Sequence, residues 1–536
     1  MKSYGKLNLG FSDAINYKRR ENKELLNLFF IKSPELDKLL LPSNYFLIGD
    51  KGTGKTAFSV YLSNNEYKNT VSFVNYINET EYVKFISMKK ERHLTLSGYT
   101  NVWKVLILLL LSKQIEKGED VISLLRNYAN FKKIHDAIDE FYKKAFAPEI
   151  INALNIVENS EQAVSLFSSV MNSEIKDVFS NSHTESTFQL NLLYLEEQFK
   201  NAIKGLKLTK NHLLFIDGID IRPRNISYDE YLECVKGLGN AMWQLNNDFF
   251  ANIKDSRGRI KTILLVRPDI FAQLGLQNSN TKIRDNSVLL DWKTTYPMYR
   301  TSALFRIADR ILAVQQEEEE LHLGNSWDYY FPFTNETRNG DTDHSFVSFL
   351  RFSMFRPRDI LTLMKILQER AISSRNGALE VITEKDFNDT QIRADYSNYL
   401  LGEIKDYLEF YHSSDDYTLF LHFFSYLNGK ASFSYDEYIN AYDEFADYIE
   451  RNGKETPSMF DNSADFLQFL YDLNVICYII DTEDGESHIH WSYRDKNYSN
   501  FNPKVKEGVR YSIHYGLQKA LDTGKKFVRR RIIRRK

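Results

Sequence analysis

The chain has 536 residues and a formal net charge of -3, and 43% of its residues are hydrophobic. This length corresponds to about three to five domains, and the apolar content excludes a chain that is disordered throughout. The sequence has two cysteines, Cys234 and Cys477, which excludes a disulfide-rich secreted module, and no Cys/His spacing suits a zinc site.

The first part of the chain alternates short apolar runs with helical patterns. After a predicted helical segment at 1–40, the runs that predict strands lie at 45–49, 71–77, 212–216, 261–266 and 287–290. Helical patterns follow two of these runs, at 56–62 and 228–250. This alternation predicts an α/β core over 41–300, with a parallel sheet between helices. The helical pattern at about 95–206 is longer than one crossover requires, so it predicts a helical insertion.

The second part of the chain is mainly helical. Strong helical patterns lie at 301–320 and 345–373, and three more lie at 417–427, 435–451 and 463–473. Two strand-like runs follow, at 475–480 and 488–493, joined by the connector DTEDGES. An Asp-Gly pair in a short polar connector is typical of a hairpin. Three helices before a hairpin predict a winged-helix domain over 401–510, and the chain continues with a predicted helix and basic tail at 511–536.

Residues 49–56 read GDKGTGKT and match the P-loop pattern G-x-x-x-x-G-K-[ST]. An apolar run precedes the motif and a helical pattern follows it, which is the context that a P-loop requires. The residues predicted to bind the nucleotide are Gly49, Asp50, Lys51, Gly52, Thr53, Gly54, Lys55, Thr56 and Ala57. Backbone N–H groups at the start of a helix bind phosphate, Lys55 can reach the β- and γ-phosphates, and Thr56 can ligate Mg²⁺. The alternative is a glycine-rich turn without a ligand.

A second acid is expected at the end of another apolar strand, and LLFID at 213–217 supplies Asp217 as a further Mg²⁺ ligand. Many ATPases have a Glu directly after this acid, whereas this chain has Gly218. Asp220 is therefore the candidate catalytic base, with a helix cap or a surface ion pair as the alternative. Arg267 ends the next apolar run and is predicted to sense the γ-phosphate, unless it points into solvent.

With these motifs the chain resembles the bacterial STAND/AAA+ supergroup of P-loop ATPases, especially the stand-alone ATPases of prokaryotic anti-phage and mobile-element loci. The segment MFRPRD at 354–359 resembles the G-x-P-R element of that supergroup, and the resemblance covers about residues 9–373. It implies a helical lid at 301–400 and a nucleotide-sensing Arg358. It does not identify the arginine finger that a ring neighbour would supply, for which Arg306 and Arg310 are the candidates. Arg356 replaces the common Gly of this element, and together with Gly218 it predicts slow hydrolysis.

The predicted fold is thus an α/β P-loop NTPase core with a parallel sheet, a large helical insertion, a helical lid and a C-terminal winged helix. The predicted function is an ATP- and Mg²⁺-dependent ATPase switch that assembles or activates a partner effector. A homo-oligomer and a role in anti-phage defence are implied only by the resemblance. The alternatives are a nucleic-acid-remodelling ATPase, such as a loader or transposition helper, and a non-hydrolysing nucleotide-dependent scaffold.

Charge and hydropathy limit the expected partners. The segment 525–536, KKFVRRRIIRRK, has eight basic residues and no acid, whereas the preceding residues carry 61 basic and 72 acidic side chains. This tail predicts contact with nucleic acid or an acidic partner, with a solvated end or a membrane surface as alternatives. The third predicted helix of the winged-helix domain has three acids in 461–472 and no Lys or Arg, which disfavours DNA reading. The longest apolar run has seven residues, at 105–111, which predicts a cytoplasmic protein without a membrane span.

Overall fold

The computed structural model describes residues 1–77, 96–144, 185–220, 222, 226–276, 279–317, 321–336, 342–374, 380–452, 457–498, 500 and 502–524. These residues divide into two units. The sheet unit comprises Ala14–Lys23 and Lys32–Leu290. The helical unit comprises Met1–Asp13, Glu24–Ile31 and the residues from Asp291 onward. The N-terminal segment at 1–40 therefore contributes residues to both units.

Five parallel strands form the sheet of the sheet unit. They are β1 (Phe46–Ile48), β2 (Thr70–Tyr76), β3 (Asn211–Asp217), β4 (Ile260–Val266) and β5 (Ser287–Leu289). Their order is β2-β3-β4-β1-β5, and each neighbouring pair is parallel. Every residue of β1 and β4 is buried, as expected for inner strands of a parallel sheet that helices cover on both faces. The predicted α/β class and all five predicted strands are confirmed.

The strand order places three carboxyl ends side by side at one edge of the sheet. Ile48 of β1 pairs with Val266 of β4, and Ile216 of β3 pairs with Leu264. The connection that leaves β1 leads toward β2, whereas the connection that leaves β4 leads to β5 on the other side of β1. Such a reversal is the topological switch point at which open α/β sheets bind ligands. The residues that follow β1, β3 and β4 therefore lie where a ligand is expected.

The helices up to residue 286 have well-defined bounds. In chain order they are α1 (Lys23–Phe29), α2 (Pro34–Leu40), α3 (Lys55–Asn64), α4 (Leu96–Gly118), α5 (Val121–Arg126), α6 (Tyr128–Lys144), α7 (Glu185–Lys204), α8 (Tyr228–Gln244), α9 (Pro268–Gln273) and α10 (Ser279–Asn286). Side chains cap the N-termini of two of them, α5 and α8. The Asp120 carboxylate accepts from the Ser123 N–H at the start of α5, and Ser227 caps α8 in the same way. These caps satisfy N–H groups that the helix itself leaves unpaired.

Helices α4 to α7 lie in the predicted insertion, of which residues 145–184 fall outside the described ranges. Helix α4 packs closely against α8, because a Cβ added to Gly237 would lie 2.6 Å from the Cβ of Tyr99. Where the structure describes it, the predicted helical pattern at about 95–206 is present as helices, yet its apolar residues do not all enter a core. Leu125 and Tyr128 are 72% and 70% exposed.

The helix predicted at 228–250 changes to a π-helical turn near its end, and Asn246 in that turn pairs with β4. After α8, residues Leu245–Phe249 continue as a π-helical turn. Asn246 in this turn donates to the Thr262 carbonyl and accepts from the Thr262 N–H, each at 2.9 Å. Because β1 spans three residues, its pairing with β4 begins only at Leu264. Asn246 therefore satisfies backbone groups that a longer β1 would have paired.

The helical unit contains α11 (Ala303–Ala313), α12 (Asn325–Tyr330), α13 (Ser345–Phe352), α14 (Pro357–Ser374), α15 (Glu384–Phe387), α16 (Thr390–Tyr411), α17 (Ser414–Phe423), α18 (Tyr435–Arg451), α19 (Ser463–Asp472) and α20 (Ser492–Asp495). Its core is rich in aromatic side chains, including the stacked pair Trp327 and Phe331. The single helix predicted at 345–373 is wrong, because the chain forms α13 and α14 instead. Phe355 between them has φ 54°, and Pro357 disfavours a helical conformation in the residue before it.

Two antiparallel sheets complete the helical unit. The first pairs β6 (Thr334–Glu336) with β7 (Thr342–His344), and the second has the order β10-β9-β11-β8. Its strands are β8 (Ser432–Phe433), β9 (Ile476–Asp481), β10 (Ser487–His490) and β11 (Arg510–Ile513). The predicted three helices at 417–473 and the hairpin that follows them are present as α17 to α19 and β9–β10. Strand β11 occupies the start of the segment in which the sequence predicts a helix, and its alternating burial is typical of a strand.

Within the described ranges, no helix combines the length and the apolar character that crossing a membrane requires.

Candidate functional site

The turn after β1 depends on its glycines. Gly52 and Gly54 have φ of 85° and 95°, in the left-handed region that residues with a Cβ rarely adopt. A Cβ on Gly49 would lie 2.3 Å from the Oγ1 of Thr53, whose hydroxyl donates to the Asp50 carbonyl at 2.7 Å. This turn leads directly into α3, whose first N–H groups have no acceptor within the helix. The local geometry is therefore that of an anion-binding loop at a helix N-terminus.

Lys55, the first residue of α3, folds back over the turn. Its Nζ donates to the Gly49 carbonyl at 2.8 Å and to the Asp50 carbonyl at 3.2 Å, and the residue is 7% exposed. Burial lowers the pKa of the Lys55 ammonium, while the nearby carboxylates of Asp220 and Asp217 oppose this shift. The ammonium thus lies inside the curve of the loop, bound to carbonyls that a phosphate oxygen could replace.

Thr56 and Asp217 lie together, as the sequence predicts. The Thr56 hydroxyl donates to Oδ2 of Asp217 at 2.7 Å, and the Gly218 N–H donates to Oδ1 at 2.8 Å. Burial and the neighbouring Asp220 raise the pKa of Asp217 to about 6, against the opposing effects of Thr56 and Lys55. A hydroxyl and a carboxylate are oxygen ligands suited to Mg²⁺, which usually keeps several waters and takes further oxygens from bound phosphates.

Gly218 explains why the usual acid is missing after Asp217. Its φ is 93°, and a Cβ at this position would lie 2.4 Å from the carbonyl oxygen of Ile77. The Ile77 N–H donates to the Asp217 carbonyl at 2.9 Å, which fixes this close approach where β2 and β3 end. A glutamate side chain is therefore excluded here. Asp220, two residues further on, is half-buried and close enough to affect the pKa values of both Lys55 and Asp217.

Arg267, at the end of β4, is buried rather than solvent-exposed. Its Nε and Nη2 donate to the two carboxylate oxygens of Asp269 at 3.1 and 2.5 Å, and the residue is 3% exposed. The positive charge of Arg267 contributes to the lowered pKa of Lys55, so the two cations belong to one electrostatic site. The sequence analysis did not identify Asp269. The only available signal was its position two residues after Arg267, in the first turn of α9.

Arg358 belongs to the helical unit, where its Nη1 lies 3.5 Å from Oε2 of Glu403. The neighbouring Arg356 is buried and makes two hydrogen bonds to Asp359, at 2.9 and 2.7 Å. Arg356 therefore anchors the first turn of α14. This pairing accounts for an arginine at the position where the resemblance leads one to expect glycine.

The two candidate arginine fingers are Arg306 and Arg310, which lie on α11 of the helical unit and are exposed. The Nε of Arg310 donates to the Leu28 carbonyl at 2.7 Å. The predicted basic tail at 525–536 lies outside the described residues. The predicted site residues of the sheet unit thus lie together around the P-loop. The predicted arginines Arg306, Arg310 and Arg358 lie in the helical unit instead.

Within the part of the chain that the structure describes, no group of three or more His, Cys, Asp and Glu side chains could hold a metal ion by itself. A Mg²⁺ ion at Thr56 and Asp217 would thus depend on a bound phosphate and water for its other ligands. No protein-family model matches the chain, and no curated protein matches its sequence.

Proposed function

We propose that the protein is a Mg²⁺-dependent ATPase that uses the nucleotide as a conformational switch. The hydrogen bond of 2.7 Å between Thr56 and Asp217 carries this proposal. It joins a hydroxyl at the start of the P-loop helix to a carboxylate at the end of a neighbouring strand. This pair of oxygens, next to an anion-binding loop, fits a magnesium nucleotide better than it fits a simple anion, which needs no acid.

Each side chain of the site has a role in this proposal. The loop N–H groups bind the phosphates, and Lys55 exchanges its carbonyl partners for β- and γ-phosphate oxygens. Thr56 and Asp217 hold Mg²⁺, which when bound neutralises phosphate charge during transfer. Asp220 orients the attacking water, and Arg267 stabilises the charge that develops on the γ-phosphate. Because Asp220 replaces an acid directly after Asp217, we expect turnover to be slow.

The remaining proposals concern the output of the switch. We interpret 401–510 as a winged-helix domain, which is supported by helices α17 to α19 and the β9–β10 hairpin. Activation of a partner effector, homo-oligomer formation, a defence role and the sensing role of Arg358 rest on the resemblance to STAND/AAA+ ATPases. The acidic surface of α19 supports a protein partner over DNA, since phosphate contacts need cations.

The test compares wild type with Lys55→Ala, and uses Lys254→Ala at an exposed position of the same unit as the control. Equilibrium binding of Mg·ATP and phosphate release are measured for each protein. We expect Lys55→Ala to lower turnover by about 100-fold or more, because one preorganised cation near the transferred phosphate contributes that much. Its circular dichroism spectrum without nucleotide should match that of the control, which shows that the fold is intact.

The outcomes separate the alternatives. Wild-type protein that binds no nucleotide would overturn the proposal. Tight binding of Mg·ATP without turnover, even with a partner present, would favour the non-hydrolysing scaffold. Turnover that is unaffected by Lys55→Ala would show that the P-loop is not the catalytic site.

A further inference from the structure

Two tyrosine hydroxyls in the first turn of α8 donate hydrogen bonds to groups outside the helix. The Tyr231 hydroxyl donates to the carbonyl of Ile219, and the Tyr228 hydroxyl donates to Oε1 of Gln273. Tyr231 is fully buried, and Gln273 is the last residue of α9. One helical turn therefore contacts both the loop after β3 and the helix after β4.

Each of these two contacts constrains a segment that carries a candidate functional residue, Asp220 in one case and Arg267 in the other. Ile219 lies directly before Asp220, and its side chain is buried, so the position of its carbonyl sets the direction in which Asp220 leaves the loop. At the other contact, α9 begins beside Arg267, because the Phe271 N–H donates to the Arg267 carbonyl at 2.9 Å. The six residues of α9 form fewer than two helical turns, so a constraint at Gln273 acts close to the residues around Arg267.

We propose that Tyr231 and Tyr228 are positioning residues that hold Asp220 and Arg267 at a fixed separation around the γ-phosphate. This inference rests on the ATPase activity proposed above. Neither tyrosine touches the nucleotide in this proposal. Each acts through another residue, Tyr231 through Asp220 and Tyr228 through α9.

The role of the Tyr231 hydroxyl can be tested separately from that of the tyrosine ring. Tyr231→Phe keeps the buried ring and removes only the donor, which leaves the Ile219 carbonyl without this partner. The helical unit offers a matched control, since the buried Tyr442 hydroxyl donates to the Phe460 carbonyl at 2.7 Å. Tyr442→Phe removes the same kind of bond at a position outside the site. Any loss of activity that Tyr231→Phe and Tyr442→Phe share is therefore a general effect of removing a buried hydrogen bond.

The experiment measures kcat, KM and Mg·ATP affinity for wild type, Tyr231→Phe and Tyr442→Phe. We expect Tyr231→Phe to lower kcat by about 10- to 100-fold, the scale expected for a catalytic group displaced by about 1 Å. KM and nucleotide affinity should stay within about twofold, because the P-loop contacts are unchanged. Tyr442→Phe should leave all three quantities unchanged. Equal kcat values for the two variants would overturn the proposal.

A double-mutant cycle with Asp220→Asn tests the route of the effect. If Tyr231 acts through Asp220, adding Tyr231→Phe to Asp220→Asn should lower kcat by less than about twofold further. An additive loss would overturn this route. If Tyr231→Phe fails to fold, Gln273→Leu serves instead, because it removes the second contact from a half-buried position. Wild-type protein without turnover overturns the parent function as well, whereas normal turnover in Tyr231→Phe and Gln273→Leu overturns only the positioning role.

Discussion

At the scale of single residues, backbone geometry decides where the second acid of the site can stand. Gly218 has φ 93° and lies against the Ile77 carbonyl, so no side chain fits directly after Asp217. Its N–H nevertheless serves the site by donating to Asp217. The missing glutamate is therefore a consequence of how β2 and β3 end together, and it assigns the water-orienting role to Asp220 in our proposal.

Lys261 is a second residue for which the surroundings matter, because they determine its pKa. It lies on β4, and its Nζ donates to the carbonyls of Leu39 and Leu41, each at 2.7 Å. These are carbonyls at the C-terminal end of α2, where a positive charge is favourable. Burial nevertheless lowers the pKa of Lys261 from 10.5 to about 7. The folded state thus disfavours the charged amine more than the unfolded state does.

This shift predicts a pH-dependent stability. Between pH 7 and 10.5 the unfolded chain binds a proton at Lys261 that the folded chain does not, so stability rises with pH in this window. Relative to Lys261→Met, wild type should gain up to about 1.4 kcal/mol of unfolding free energy per pH unit. Denaturant titrations from pH 6.5 to 9.5 measure the difference, and Lys254→Met at an exposed position controls for the loss of charge. A difference that stays constant across this range would contradict the prediction.

At the scale of elements, the packing of α4 on α8 depends on the absence of a side chain at Gly237. An added Cβ would lie 2.6 Å from the Tyr99 Cβ and 3.1 Å from its carbonyl carbon, so the backbone itself would have to move. Gly402, in the middle of α16, is a matched contrast, because an added Cβ there meets nothing within 4 Å.

The two glycines predict opposite effects of the same substitution. Gly402→Ala should stabilise the protein by up to about 1 kcal/mol, since alanine favours a helix interior over glycine. Gly237→Ala should destabilise it by about 1–3 kcal/mol, the range typical of overpacked cores. Thermal and denaturant unfolding of both variants measure the two changes. Two stabilising substitutions would mean that α4 and α8 are not closely packed.

The elements also show which parts of the fold could be predicted from the sequence. The five strands are apolar runs between breakers, and this signal is local. Thr56 and Asp217 could be paired in advance because parallel strands end at the same edge of a sheet. The pairing of Arg267 with Asp269 depends on side-chain conformation, which no sequence pattern encodes. The hydroxyl contact of Tyr231 likewise depends on how α8 approaches the loop after β3.

Where the sequence analysis misjudged an element, a particular backbone or packing feature was responsible. The apolar residues of 345–373 follow a helical pattern, yet the run contains Pro357, Phe355 adopts a positive φ and Asp359 caps the turn by accepting from the Met354 N–H at 2.9 Å. In the predicted pattern at about 95–206, the spacing of apolar residues indicated helix correctly for α4 to α7. It did not reveal that Leu125 and Tyr128 would be exposed, because exposure depends on neighbouring elements that the pattern does not contain.

At the scale of the whole molecule, charge is divided along the chain more sharply than the net value suggests. Residues 1–524 carry 61 basic and 72 acidic side chains, while the tail at 525–536 carries eight basic ones. The described fold reaches its last residues in an ordered contact, since Thr523 is buried and the Gly524 N–H donates to the Gly429 carbonyl at 2.7 Å. A chain that ends at Gly524 should therefore fold normally.

This division predicts where any nucleic-acid affinity resides. Residues 1–524 carry 61 basic and 72 acidic side chains, a net charge of -11, and α19 has no Lys or Arg, so we expect the phosphate contacts that nucleic-acid binding requires to come mainly from the tail. We expect the chain ending at Gly524 to bind neither DNA nor RNA and to keep its Mg·ATP affinity. For the 536-residue chain, a plot of log affinity against log salt should have a slope no steeper than about -7, the limit for eight neutralised phosphates.

A tail in which glutamine replaces all eight basic residues keeps the length and removes the charge, so it separates electrostatic contact from any apolar contact of Phe527, Val528, Ile532 and Ile533. Loss of binding in this variant, as in the chain ending at Gly524, would place the contact on the charges. If the chain ending at Gly524 binds nucleic acid with the same affinity and salt dependence as the 536-residue chain, the nucleic-acid site lies within residues 1–524. The nucleic-acid-remodelling ATPase would then become the better proposal.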